Sequence, residues 1–291
     1  MKRHSPSNRP SGLHFLFCTF FLFALSTVLQ AQENTRPPVY IGCVFIKLQP
    51  QKFATYDSLI RTYTKKVFDD EIKNGNYMSW QMYEVLSPSG TQSEYDIVGV
   101  VVTTKMDMLL DPPGTDREMF KKSFPKMTDA KIAEAFKAFS SSRSIVKREI
   151  YTQVSSTNDD GPPTKTPAKY LQVDFMTPQE GKRADYVKME SETFKAVHKE
   201  RIKLGALTGW TLLEKILPGD SQDPAPFVTV NFYDNLNGMM DGKYDQAIKA
   251  AHPNLSADKL FNDVNVVKKR QRIEVWKLLA TDSVQGATAA K

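Results

Sequence analysis

Apolar residues fall along this chain in two rhythms that alternate in a fixed order. From Tyr40 to Leu48 and from Tyr170 to Met176, short β-branched and aromatic runs predict strands. Tyr56, Leu59, Ile60, Tyr63 and Val67 then recur at helical spacing, as do Tyr186, Met189, Phe194 and Val197, and Asn74-Gly75 and Gly205 supply the stops. Met78 to Leu86 and Tyr95 to Thr103 predict two strands around Ser87-Pro88-Ser89-Gly90. Gly209 to Leu217 and Phe227 to Tyr233 repeat them around Pro218-Gly219. A second helix is expected near Asp129 to Phe139 and near Ala257 to Val267, ahead of last strands at Ile145 to Val154 and Arg270 to Leu279.

The two halves are one pattern written twice. A shift of 130 residues aligns Tyr40 with Tyr170, Phe45 with Phe175, Tyr56 with Tyr186, Gly75 with Gly205, Trp80 with Trp210, Glu84 with Glu214 and Asp111 with Asp241. About 18 identities fall in roughly 75 gapless positions, where chance gives about four or five. The register then slips, and Glu149-Ile150-Tyr151 matches Glu274-Val275-Trp276 at a shift of 125. Each copy reads as an α+β, ferredoxin-like βαββαβ unit, the first over 37–154 and the second over 168–280, with a linker at 155–167 and a flexible tail at 281–291. Such a unit covers one sheet face with helices and must bury the other. The two copies are therefore expected to pack sheet to sheet as an intramolecular α/β barrel, making the chain a monomeric pseudo-dimer. On that topology the second strand of each copy lies beside the fourth of the other, and the expected ion pairs across the seams are Glu84 with Arg272 or its neighbour Arg270, and Glu214 with Lys147.

In element order, duplication and the paired Trp-x-x-x-Glu of Trp80/Glu84 and Trp210/Glu214, the sequence resembles the dimeric α/β-barrel superfamily, which includes antibiotic-biosynthesis-monooxygenase-like and stress-responsive A/B-barrel proteins. The resemblance spans nearly all of residues 37–280 and carries no catalytic signature. It implies activities from cofactor-free monooxygenation and lactone isomerisation to haem binding, or no activity, so it does not choose among them.

The first 31 residues change the picture of where the chain works. A basic stretch from Met1 to Ser11 precedes the uncharged, Phe- and Leu-rich Leu13 to Leu29 and then Gln30-Ala31, the order of a secretory signal peptide cleaved after Ala31, with an uncleaved membrane anchor as the competing reading. The expected location is secreted or periplasmic, with membrane contact only through that segment. Lys2, Arg3 and Arg9 lie in it, so the 39 basic residues fall to 36 against 33 acids, and no clustered basic face argues for nucleic acid. Cys43 is then the sole cysteine, read as a packing residue, and only His198 and His252 remain of the 4 histidines. That set argues against a metal site.

Alternation along the strands divides each sheet into two faces. Taking Ile41, Cys43, Phe45, Val98, Val100 and Val102 as helix-covered leaves an apolar inward set in copy one: Gly42, Val44, Ile46, Ile97, Gly99 and Val101. The inward set of copy two is polar: Gln172, Asp174, Met176, Phe227, Thr229, Asn231 and Tyr233, joined by Arg272, Glu274 and Trp276. A few convergent polar groups among apolar walls mark a ligand site, so Gln172, Asp174, Thr229, Asn231, Tyr233, Arg272, Glu274 and Trp276 are the ligand-binding candidates, with a structural ion-pair network as the competing reading. Two functions stay open. One is an exported barrel that binds a small, largely apolar molecule, placed first because no catalytic pairing stands out. The other is a cofactor-free monooxygenase-like or haem-handling enzyme, with Asp174, Asn231, Tyr233 and Arg272 orienting substrate or His198 or His252 as axial haem ligand.

Overall fold

A computed structural model of the chain describes residues 37–90, 93–112, 116–158, 167–219 and 223–283. The expected signal segment lies outside them, as do most of the expected linker and all of the expected tail beyond Ser283. Among the described residues no helix is long and apolar enough to cross a membrane.

Repeat one runs β1 (Tyr40–Leu48), α1, β2 (Ser79–Ser87), β3 (Ile97–Thr103), the short helices α2 (Asp107–Leu110) and α3 (Asp116–Ser123), then α4 (Asp129–Ser142) and β4 (Arg143–Ser156). Repeat two copies it as β5 (Tyr170–Pro178), α5, β6 (Gly209–Leu217), β7 (Phe227–Tyr233), α6 (Asn237–Met240), α7 (Tyr244–Ala251), α8 (Ala257–Val267) and β8 (Lys268–Ser283). The long helices share an irregularity at the matched place. α1 joins Phe53–Leu59 to Lys65–Lys73 through the π-helical turn Ile60–Thr64, and α5 joins Arg183–Lys188 to Lys195–Lys203 through Met189–Phe194. Both end on a left-handed glycine, Gly75 at φ +71 and Gly205 at φ +72. The next amide closes each cap, Asn76 N–H donating to Glu71 O at 3.0 Å and Ala206 N–H to Arg201 O at 2.9 Å. Thr128 and Ser256 cap α4 and α8 by accepting from the amides of Lys131 and Lys259. These two caps start the helices.

The eight strands form one closed barrel in the order β1-β3-β2-β8-β5-β7-β6-β4. All neighbours are antiparallel, and the repeats meet at β2–β8 and β4–β6. Closure within one chain leaves no sheet edge unpaired.

The face assignment is the reverse of the expected one. Ile41, Cys43, Phe45 and Val98 pack in one core with Leu171, Val173, Phe175, Leu213 and Trp276, residues of both repeats, so they fill the barrel. Ile46 and Ile97, with Val44 and Val101, lie instead beneath the helices against Tyr56, Ile60 and Trp80. Alternation separates two sets correctly, but in repeat one both are apolar, and nothing in the pattern says which is inside.

The seam pairs fail for the same reason. Glu84 lies between Tyr83 and Val85, which both point into the barrel, so it points out, opposite Lys277 across the seam. Arg272 points inward over the Phe175 ring, its guanidinium carbon 3.5 Å from the centroid, and Arg270 reaches Asp174 instead. Glu214, flanked by inward Leu213, takes an outer partner, Arg183, whereas Lys147 lies 4.8 Å from the Phe45 ring centroid. The strands neighbour as expected; the side chains sit on opposite faces.

Candidate functional site

The proposed ligand set splits into two clusters. Register places Gln172 opposite Val275 and Asp174 opposite Ile273, so Glu274 and Trp276 share a face with Val173 and Leu171 instead. A bulge in β8 between the partners of Phe175 and Met176 sends Arg272 inward and Arg270 outward, although the two are separated by a single residue.

The inward cluster is closed by its own partners. Glu274 accepts from Tyr95 Oη at 2.7 Å, Arg272 Nε at 2.8 Å and Trp276 Nε1 at 2.8 Å. Its repeat-one counterpart, Glu149, accepts from Tyr151 Oη at 2.5 Å and Lys215 Nζ at 3.0 Å. Lys215 also pairs with Asp223 at 2.8 Å. Burial and the facing carboxylate push the Tyr95 and Tyr151 phenols far up, so both stay protonated donors. Glu274 and Trp276 are buried in the barrel and the Arg272 side chain is 37% exposed, and Glu274 joins Arg272, Trp276 and Tyr95 into one network outside the cavity lining.

Gln172, Asp174, Thr229 and Asn231 meet on the outer face of the repeat-two sheet, under α5, α7 and α8, around a cavity of about 270 Å³. Phe194, Trp210, Tyr244 and Phe261 give it aromatic walls, and Glu190, His198, Lys268 and Arg270 add charge and hydrogen-bonding capacity. Sheet register fixes the floor, since Asn231 and Thr229 face Gln172 and Asp174 directly. Asp174 Oδ2 accepts from Gln172 Nε2 at 2.8 Å and Asn231 Nδ2 at 3.3 Å, while Arg270 reaches Oδ1 at only 3.5 Å. Burial raises the Asp174 carboxyl, and these donors and cations offset it only in part. Glu190, on the π-helical turn, is raised by burial too, with Lys268 Nζ 3.4 Å away.

Behind the wall stands Arg201, 1% exposed. Its Nε donates to Gly242 O at 2.6 Å, one terminal nitrogen reaches Tyr244 Oη at 2.8 Å and His198 Nδ1 at 3.1 Å, and the other reaches Tyr233 Oη at 3.3 Å. Tyr233 therefore braces this arginine and is not part of the cavity lining. His198 stacks on Trp210, ring centroids 5.0 Å apart, and burial together with Arg201 and Lys268 holds its pKa well below the usual imidazole value.

Glu190, Arg201, Tyr244, Lys268 and Arg270 were absent from the sequence-derived set, and His198 entered only as a haem ligand. Three of them carried a readable signal on the long helix: Ile60 becomes Glu190, Phe68 becomes His198 and Glu71 becomes Arg201 at the same repeat positions.

No family model and no curated protein matches this sequence. Among solved structures, an anthrone oxidase-like protein aligns over 88% of this chain and 98% of its own, at 12% identity and a TM-score of 0.50. A putative monooxygenase from Lactobacillus acidophilus NCFM covers 86% and 98% at 10% identity and 0.47. A heme-binding protein from Thermus thermophilus covers 83% and 91% at 9% identity and 0.45. At these identities the likeness extends to the fold and no further.

Haem, the cofactor of the expected haem-handling alternative, does not fit His198 or His252, the histidines among the described residues. A ligating imidazole offers one lone pair to iron and donates its other N–H to an acceptor. The His198 Nδ1 instead faces a guanidinium, which can only donate, so Nδ1 accepts and Nε2 holds the proton. His252 Nε2 lies 3.2 Å from the Thr193 carbonyl, and His252 is not among the residues lining the cavity.

Proposed function

We propose that this chain is an exported small-molecule-binding barrel whose ligand occupies the repeat-two cavity. One observation carries the reading: a polar-floored, aromatic-walled space of about 270 Å³ exists in repeat two. Over the matched floor in repeat one, Leu109 and Met82 lie against Gly42 and Gly99, in one core with Ile60, Phe68 and Met108. The cavity volume is close to the lower end of small-molecule sites, roughly 300–1,000 Å³. The lining alters the expected ligand from largely apolar to one with an apolar body and a hydrogen-bonding edge. Export rests on the signal-peptide pattern of residues 1–31 and is tested by N-terminal sequencing of protein recovered from outside the cytoplasm.

A monooxygenase-like enzyme is the second reading, favoured by the raised carboxyl of Asp174 in the cavity floor, since such groups serve as general bases near neutral pH. Native mass spectrometry of protein purified from its own host tests binding. A retained compound lost in Asn231→Val, the residue of repeat one, supports the site; retention unchanged in that variant moves the ligand elsewhere. Turnover of that compound, abolished by Asp174→Asn, would favour the enzyme.

A further inference from the structure

His198 does a packing task that does not need its nitrogens. In repeat one the same position is Phe68, stacked on Trp80 with ring centroids 5.3 Å apart and planes 8° from parallel, as His198 stacks on Trp210 at 5.0 Å and 18°. What the imidazole adds is a polar edge at the cavity. Nδ1 is taken by Arg201 at 3.1 Å, and that guanidinium is itself clamped by the Gly242 carbonyl and the Tyr244 and Tyr233 hydroxyls, so it cannot swing away. The tautomer is thereby fixed with the proton on Nε2, and a cation donating to Nδ1 makes the Nε2–H a stronger donor while opposing a second proton. Among the described residues no group accepts from Nε2, and the ring lines the cavity. A buried donor without a protein acceptor gains most from an acceptor carried by the ligand.

The surroundings select among acceptors. Asp174 and Glu190, each 3% exposed, line the same cavity and are matched by Arg270 and Lys268, so among the described residues the lining leaves no free cation for an anionic oxygen. Phe194, Tyr244 and Phe261 suit a compact ring body. We propose that His198 Nε2–H, held as a donor by Arg201, recognises the uncharged carbonyl oxygen of a compact cyclic ligand in the repeat-two cavity. This rests on reading that cavity as the ligand site.

The test titrates the purified protein with three bicyclic probes of one shape: 1-indanone, indane and indane-1-carboxylate. The ketone should bind at least about tenfold tighter than the hydrocarbon, the scale of one desolvated hydrogen bond, and the carboxylate most weakly. His198→Phe should bring the ketone to the level of indane and leave indane unchanged. A nitrogen-15 NMR measurement on the unaltered protein needs no variant: His198 should show an unprotonated Nδ1 and a protonated Nε2, whose proton moves downfield with 1-indanone and not with indane. Equal binding of ketone and hydrocarbon, preference for the carboxylate, or a proton on Nδ1 overturns the proposal while the cavity still binds. Failure of all three probes to bind overturns the ligand-site reading and this proposal with it.

Discussion

The two sheet–helix layers share a scaffold and differ in what they enclose. Both keep the stacked tryptophan, the buried tyrosine at Tyr56 or Tyr186, the π-helical turn and the left-handed glycine that ends the long helix. In repeat one the sheet floor is Gly42, Val44, Gly99 and Val101, and the helix side chains come down onto it. A Cβ on Gly42 would lie 2.9 Å from Leu109 Cδ2, and Met82 Sδ is 3.5 Å from where one on Gly99 would sit. In repeat two the same floor positions are Gln172, Asp174, Thr229 and Asn231, and a cavity remains above them. Duplication let one layer close as a dry core while the other kept polar groups that a folding requirement alone does not ask for. The cavity belongs to one copy, and the barrel belongs to both.

The largest effect is expected where the copies exchange a charge. Arg201 and Glu71 occupy one repeat position, and both are buried. Arg201→Met leaves Gly242 O, His198 Nδ1 and two tyrosine hydroxyls without their common donor, and each buried acceptor so stranded costs about 1–3 kcal/mol before relaxation. A loss of about 3 kcal/mol is expected. Glu71 accepts from Asn76 Nδ2 at 2.6 Å next to a helix cap, and Glu71→Met should cost about 1 kcal/mol. Urea denaturation of the two variants checks the ranking. Equal losses would mean that Arg201 organises no more of its layer than Glu71 does.

A milder contrast tests whether the first layer is closed. Gly42→Ala places a methyl against Leu109 Cδ2 and, at 3.0 Å, Val101 Cγ2. Both contacts are the ends of side chains that can give, so overpacking should cost about 1–2 kcal/mol, toward the low end of such changes. Gln172→Ala at the matched position overpacks nothing and should cost only the lost hydrogen bond to Asp174, about 0.5–1 kcal/mol. Thermal melts of the pair report it directly. A tolerated Gly42→Ala would mean that repeat one also has room above its sheet.

The architecture was readable from the sequence because it rests on features that local chemistry dictates: strand runs, helical spacing, glycine stops and a self-alignment of about 18 identities, about four times the chance level. Strand order around the barrel followed from the unit's topology. Face was not readable. Ile41/Cys43/Phe45 and Gly42/Val44/Ile46 are both apolar, and which set turns inward depends on packing against the other copy. The bulge in β8 hid a second reversal, because it gives Arg270 and Arg272 opposite faces where strict alternation gives them one. The candidate site was therefore half legible: Gln172, Asp174, Thr229 and Asn231 do meet, whereas Arg272, Glu274 and Trp276 belong to the barrel interior. The helix contribution could be found only by comparing copies at Ile60/Glu190, Phe68/His198 and Glu71/Arg201.

The smallest expected effect carries a sign. Burial raises the Asp174 carboxyl above its unfolded value of about 3.9, so the folded protein binds that proton more tightly than the unfolded chain does. Its contribution to stability is present below the unfolded value and is lost as pH rises through the folded one. Glu190 has the same sign. His198 has the opposite one, since its lowered pKa gives a contribution that is whole above about 6.5 and declines as pH falls below it. At pH 8 the unfolded chain carries this charge freely, whereas the folded site disfavours it, with Arg270 no nearer than 3.5 Å. Asp174→Asn keeps the shape and one acceptor, and should stabilise the protein by about 1 kcal/mol at pH 8, with the gain gone by about pH 4. Val44→Ala, the matched change in repeat one, should lose stability by an amount that does not vary with pH. Urea denaturation at pH 4, 6 and 8 decides it. An Asp174→Asn variant weaker than wild type at pH 8 would show that the ion pair with Arg270 outweighs desolvation, whereas the expected gain would mean that repeat two gives up stability for a carboxyl its fold does not need, as binding sites do.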